Sequence, residues 1–317
     1  MRRRLFLAGG AAIAGAVWAP PHAEAADRMT VMLDWLLNVN HAALFAAQQC
    51  GAFTRAGLDV TLISPSDPDS PPRLVAAKQV DLAVSYGTQI NMLDDHGLDL
   101  VRVASLVNTP LNSIMALGNN KIRTLADLKG RKVGISVGGV EEMLLDVMLR
   151  SAGVAPSDVT VVRVNYQMTT ALLSHQIDAA IGAFRNDEVL QVQRMGLNPV
   201  IFAPEDHGVP VYDELILVAR RDRRDDPRIA RFLAALQEGT TQLFKQPDAM
   251  WAAFSSAHPE LATPLNKAAW AITLPHLAPH PNLLDATRYL RFQSFALAQG
   301  IISKSLPIEQ FAVQIPA

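Results

Sequence analysis

A chain of 317 residues, half of them apolar, can bury one large core or two smaller ones, and two lobes are the natural expectation. Its 28 basic and 30 acidic residues leave a formal charge of -2, which gives no electrostatic footprint for nucleic acid or an anionic membrane and points to a small-molecule partner. The single cysteine, Cys50, excludes an internal disulfide, and no Cys/His cluster accompanies it, so neither a metal nor a cofactor is expected.

Residues 1–25 read as an export signal. Arg2-Arg3-Arg4 precedes an apolar stretch from Leu5 to Ala19, and Ala23-Glu24-Ala25 supplies a small-residue cleavage site. Arg3-Arg4-Leu5-Phe6-Leu7 matches the twin-arginine pattern, although arginines also occur in ordinary secretory signals. No later apolar stretch approaches the roughly 20 residues needed to span a bilayer, so a soluble chain in a bacterial periplasm is expected from Ala26 onward.

The apolar run Met29 to Leu33 predicts a buried strand, and Ala42 to Gln49 predicts a helix closed by Gly51. Between them Asp34, Trp35, Asn38, Asn40 and His41 crowd one loop, the place where α/β proteins put their sites. A tryptophan at a strand end is usually a core plug and asparagines usually cap turns, yet one carboxylate, an indole, two amides and an imidazole together suit a planar, nitrogen-rich ligand. Further strands are expected at Leu58 to Ile63, Asp81 to Ser85 and Val101 to Val107, with a helix over Arg73 to Lys78 after the proline-rich turn. Tyr86, at the end of the second of these strands, is a candidate rim of the site.

Thr124 to Asp127 gives a capping-box signal, Lys132 to Ser136 a strand, and Gly138-Gly139 opens a helix. Val140, Met143, Leu144, Val147 and Met148 fall on one face of that helix, and Glu141 and Glu142 are read as complementing its dipole. Segments about 97 positions apart then echo one another. Leu74 to Val84, containing Asp81, resembles Leu172 to Ile181, containing Asp178, so both lobes follow one β-α-β-α-β plan. Arg185, Asn186, Asp187 and Glu188 therefore occupy in lobe two the place of Tyr86 to Gln89 in lobe one, with helix capping as the plainer role for Asn186 and Asp187. Ser113 to Leu117 and Val209 to Ala219 are the two interlobe crossings, which assigns 26–112 and 219–317 to lobe 1 and 113–218 to lobe 2. Beyond Asp226 the chain is mostly helical scaffold, and Trp251, Trp270, His258, His276 and His280 are left out of the site.

The collinear segments Leu33-Asp-Trp35 with Asn40-His41, Pro71 to Ala77, Asp81 to Tyr86, Thr109 to Asn112, Gly182 to Asn186 and His207 to Ala219 resemble the substrate-binding proteins of ABC importers. Within them the chain is most similar to the ThiY-type proteins that bind formylaminopyrimidine or hydroxymethylpyrimidine, precursors of thiamine. The resemblance implies an α/β, two-lobed periplasmic binding protein fold of type II-like form, its cleft lying between lobes joined by two hinge strands. It also implies a monomer that is not an enzyme and that delivers its pyrimidine to a permease in the inner membrane. Carried over residue by residue, it makes Trp35 the stacking platform, Asp34 its neighbour and Glu188 a lobe-two acceptor, with Asn40, His41, Tyr86 and Glu214 as further contacts. Where the family often has an aromatic after the glycines of the lobe-two helix this chain has Val140, and where it has Tyr before the Arg-Asn pair this chain has Phe184. Related fungal synthases need a cysteine-rich cluster and iron, whereas this chain has Cys50 alone. A sulfonate binder would need clustered basic residues, whereas the candidate loops offer only Arg185.

Overall fold

Asp81 and Asp178, the matched acids of the internal repeat, do the same work in two separate sheets. Asp81 Oδ2 accepts the Thr30 N–H at 2.9 Å, and Asp178 Oδ2 accepts the Lys132 N–H at 2.9 Å, each tying the start of one strand to its neighbour. The computed structural model describes residues 26–316, and the export-signal reading of residues 1–25 lies outside them.

The first lobe runs β1 (Asp27–Met32), α1 (Ala42–Gln49), α2 (Ala52–Arg55), β2 (Leu58–Ile63), α3 (Pro71–Ala76), β3 (Leu82–Tyr86), α4 (Ile90–Asp95) and β4 (Leu100–Val107). The second runs β5 (Ile114–Leu117), β6 (Lys132–Ile135), α5 (Val140–Ser151), β7 (Thr160–Arg163), α6 (Met168–Leu173), β8 (Ala179–Ile181), α7 (Glu188–Arg194) and β9 (Pro199–Phe202). The chain then returns through β10 (Leu215–Arg220) to α8 (Pro227–Lys245), α9 (Pro247–Ala257), α10 (Pro264–Thr273) and α11 (Ala286–Ala298). One sheet has the order β2-β1-β3-β10-β4 and the other β7-β6-β8-β5-β9. In each, three parallel strands come from one lobe's own run and the fourth position is filled by an antiparallel strand entered from the other lobe.

This exchange explains why the return segment reads as a continuous apolar run. In β10, Leu215, Leu217 and Ala219 enter one core while Ile216 and Val218 enter another, so both faces are buried. All of β10 lies in the first sheet, which moves the return boundary from residue 218 to before Leu215. The crossings themselves are the irregular segments 108–113 and 203–214, each leading into an antiparallel strand.

Helix α8 packs along α1, where Gly239 sits against Ala47 so closely that an added Cβ would collide with the Ala47 backbone. Replacing a helical glycine by alanine ordinarily gains up to about 1 kcal/mol of helix propensity. Here overpacking, at about 1–3 kcal/mol, outweighs it, so Gly239→Ala is expected to lower the unfolding free energy in a urea titration. A variant at least as stable as the parent would contradict this packing.

Candidate functional site

The loop after β1 is held by its own polar groups. Asn38 Oδ1 accepts the Asn40 N–H at 2.8 Å, and the Asn38 N–H donates to His41 Nδ1 at 3.2 Å. With Nδ1 an acceptor, His41 Nε2 carries the proton and donates to Asp34 Oδ1 at 2.8 Å. The Tyr86 hydroxyl donates to Asp34 Oδ2 at 3.2 Å, which fixes the carboxylate from both sides. His41 is fully buried behind Asp34 and does not line the cavity, so its place is that of a positioning group.

Asp34, Trp35, Asn40, Tyr86, Glu188 and Glu214 all border one cavity between the lobes, about 560 Å³ counted to its open mouth. Its apolar walls are Val137, Val140, Met168 and Phe184, so both positions at which the chain departs from the family face the same space. Trp35 also packs across the lobe boundary on Tyr166, with ring centroids 4.4 Å apart and planes at 59°.

From the second lobe, Glu188 folds back so that its Oε2 accepts the Phe184 N–H at 2.9 Å. Asn186 and Asp187 do not cap α7 with their side chains. Asn186 Nδ2 instead donates to Asn40 Oδ1 and to Thr273 Oγ1, both at 2.7 Å, joining the lobes. Asp187 stands at the helix start without a side-chain capping bond and borders the cavity. Glu214 Oε2 accepts the N–H groups of Leu111 (2.5 Å) and Asn112 (2.8 Å), so this carboxyl ties one crossing segment to the other while facing the ligand space.

Glu141 is the main revision to the sequence reading. Its side chain turns into the cavity wall and is 4% exposed. Gly182, at a φ of 91°, leaves the room it occupies, since a Cβ there would overlap the Glu141 carboxyl. Tyr166 and Met168 were likewise illegible, because neither belongs to a motif or a polar cluster.

Burial dominates the electrostatics. It pushes Glu141 and Glu188 up to about 8 and Glu214 up to about 7, against opposing backbone N–H bonds. No lysine, arginine or histidine borders the cavity. Among the described residues, no group of three or more His, Cys, Asp or Glu is arranged to hold a metal ion, and no helix is long and apolar enough to cross a membrane.

Two five-stranded sheets joined by two crossings, with a polar cavity between them, make the fold of periplasmic solute-binding proteins. It is shared with the alkanesulfonate-binding protein of Xanthomonas axonopodis pv. citri at a TM-score of 0.71 and 18% identity, covering 89% of this chain and 96% of that one. The chain belongs to the family described as NMT1/THI5 like, which matches residues 38–250. It is 47% identical, over 92% of its length and 93% of the relative's, to a Haemophilus influenzae protein named for thiamine biosynthesis. It is 33% identical to the formylaminopyrimidine-binding protein of Halalkalibacterium halodurans, over 71% of this chain and 69% of that one. At 24% identity, over 78% of this chain and 79% of its own, a Legionella pneumophila relative is named 4-amino-5-hydroxymethyl-2-methylpyrimidine phosphate synthase.

The raised carboxyls set a pH dependence for the empty protein. An unfolded glutamate loses its proton near 4.5, whereas folded Glu141, Glu188 and Glu214 keep theirs to about 7 or 8. Over that window the folded state binds more protons, so stability falls as pH rises. Thermal melts at pH 5, 6.5 and 8 are expected to give a declining midpoint, with a shallower decline in Glu141→Gln; a midpoint that climbs through this range would contradict the assignment.

Proposed function

We propose that the protein is the periplasmic solute-binding component of an ABC importer and carries a thiamine pyrimidine precursor, formylaminopyrimidine or hydroxymethylpyrimidine, to an inner-membrane permease. The observation that carries this reading is the lining of the interlobe cavity. An indole, a tyrosine, three amides and five carboxyl side chains meet there without a basic residue. An aminopyrimidine offers a flat face for stacking and an amino edge that donates hydrogen bonds, which is the complement of such a wall. A sulfonate carries a full negative charge and would find no basic residue in the lining to offset it. The similarity to the formylaminopyrimidine-binding protein supports the same ligand class. The export-type N-terminus supports the periplasmic location.

In this reading Trp35 is the stacking platform and Glu188 accepts from the exocyclic amine, while Asp34, Asn40, Tyr86 and Glu214 complete the polar frame and His41 orients Asp34. The protein acts as a monomeric carrier, a reading supported by its similarity to the formylaminopyrimidine-binding protein.

Calorimetry tests the roles separately. Trp35→Ala is expected to cost about 2 kcal/mol or more for every pyrimidine, as buried aromatic anchors do. In the complex the N–H groups of the exocyclic amine favour the ionised Glu188, so Glu188→Gln is expected to cost about 1.5–3 kcal/mol for pyrimidines with that amine and to leave deaminated analogues nearly unaffected. Equal losses on both ligand sets would remove Glu188 from its assigned contact. Wild type that binds taurine or alkane sulfonates in preference to pyrimidines would refute the ligand class.

A further inference from the structure

Glu141 enters the cavity wall from the start of α5, opposite the polar loop of the first lobe. Its Oε2 accepts the Ser136 N–H at 2.6 Å, the Val137 N–H also supports the carboxyl, and the residue borders the ligand space beside Gly182. The side chain is 4% exposed. The titratable and charged groups around it are Glu188 and Asp187 of α7, Asp69 of the β2–α3 loop with its partner Arg163 at 2.8 Å, Tyr86 of β3, and Glu142 in its own helix. Acids predominate, and the one arginine is engaged by Asp69. A buried carboxyl in such company, without a counter-cation of its own, keeps its proton. One oxygen then accepts from the backbone, and the other carries an O–H that needs an acceptor.

Resting on the pyrimidine-carrier reading, we propose that Glu141 is a neutral carboxylic acid that donates its Oε1 proton to an acceptor oxygen on the ligand's substituent, which selects the formylated pyrimidine over the aminomethyl form. The formyl carbonyl is a strong acceptor. An ammonium group has only donors, so it meets Glu141 only after the carboxyl has lost its proton. Burial that lifts the carboxyl to about 8 keeps the donor in place at neutral pH. Glutamine reproduces this pattern, one oxygen accepting and one N–H donating, so Glu141→Gln is the conservative replacement and Glu141→Ala the disruptive one.

The test is calorimetric titration of wild type, Glu141→Gln and Glu141→Ala with 4-amino-5-formylaminomethyl-2-methylpyrimidine and its deformylated amine, at pH 7 and pH 9.5, after melts confirm that each variant is folded. At pH 7 wild type is expected to bind the formylated ligand at least tenfold tighter than the amine. Glu141→Gln should stay within threefold of wild type for the formylated ligand, and Glu141→Ala should lose at least tenfold. Between pH 7 and 9.5 the ratio of wild-type to Glu141→Gln affinity should fall at least tenfold. Glu141→Gln as weak as Glu141→Ala, or parallel pH profiles, overturns the donor role alone. Absence of pyrimidine binding by wild type at either pH overturns the carrier reading and this proposal with it.

Discussion

Carboxyl groups enclosed between two lobes without a basic partner are the constraint on which the rest of the site depends. A buried acid must be paired, protonated or hydrogen-bonded, and here the neighbours are backbone N–H groups and other acids. Those N–H groups come from Leu111 and Asn112 in a crossing, from Ser136 at the end of β6 and from Phe184 after β8. The carboxyls therefore fasten the loops and crossings at the same time as they face the cavity. A neutral ligand that supplies N–H donors and a carbonyl oxygen completes their hydrogen bonding, whereas an anion would lie there without a counter-cation.

The two lobes meet through a small polar set around that cavity. Asn186 reaches Asn40 and Thr273, Arg163 pairs with Asp69, and the Tyr166 hydroxyl donates to the Pro65 carbonyl at 2.8 Å beside its packing on Trp35. The Arg163–Asp69 pair is partly solvated and contributes at most about 1 kcal/mol, so contacts of this kind hold a closed arrangement only weakly. Glu214 bridges the two crossings and borders the ligand space with the same side chain.

Much of the fold was legible because its determinants are local or repeated. The limits of α1 and β2 agree with the sequence expectation, and the Thr124–Asp127 capping box forms as its spacing predicts. The Asp81 and Asp178 repeat anticipated two sheets of like topology, since each acid sits at the same junction. The site was only partly legible. The polar loop of Asp34 to Asn40 and the acid after β8 stood out as clusters, and they meet across the cavity. Glu141 was read as a first-turn acid because a helix start accounts for one without a ligand, and only the space left by Gly182 reveals where its side chain goes. His41 passed for a contact because sequence gives residue type without depth.

The most direct measurement is a crystal structure of the protein grown with 4-amino-5-formylaminomethyl-2-methylpyrimidine. The account predicts the ring against Trp35 between the two lobes, its amino group within hydrogen-bond reach of Glu188 and its formyl oxygen at Glu141. A pyrimidine bound elsewhere, or lying in the cavity with its amino edge turned away from both glutamates, would contradict it.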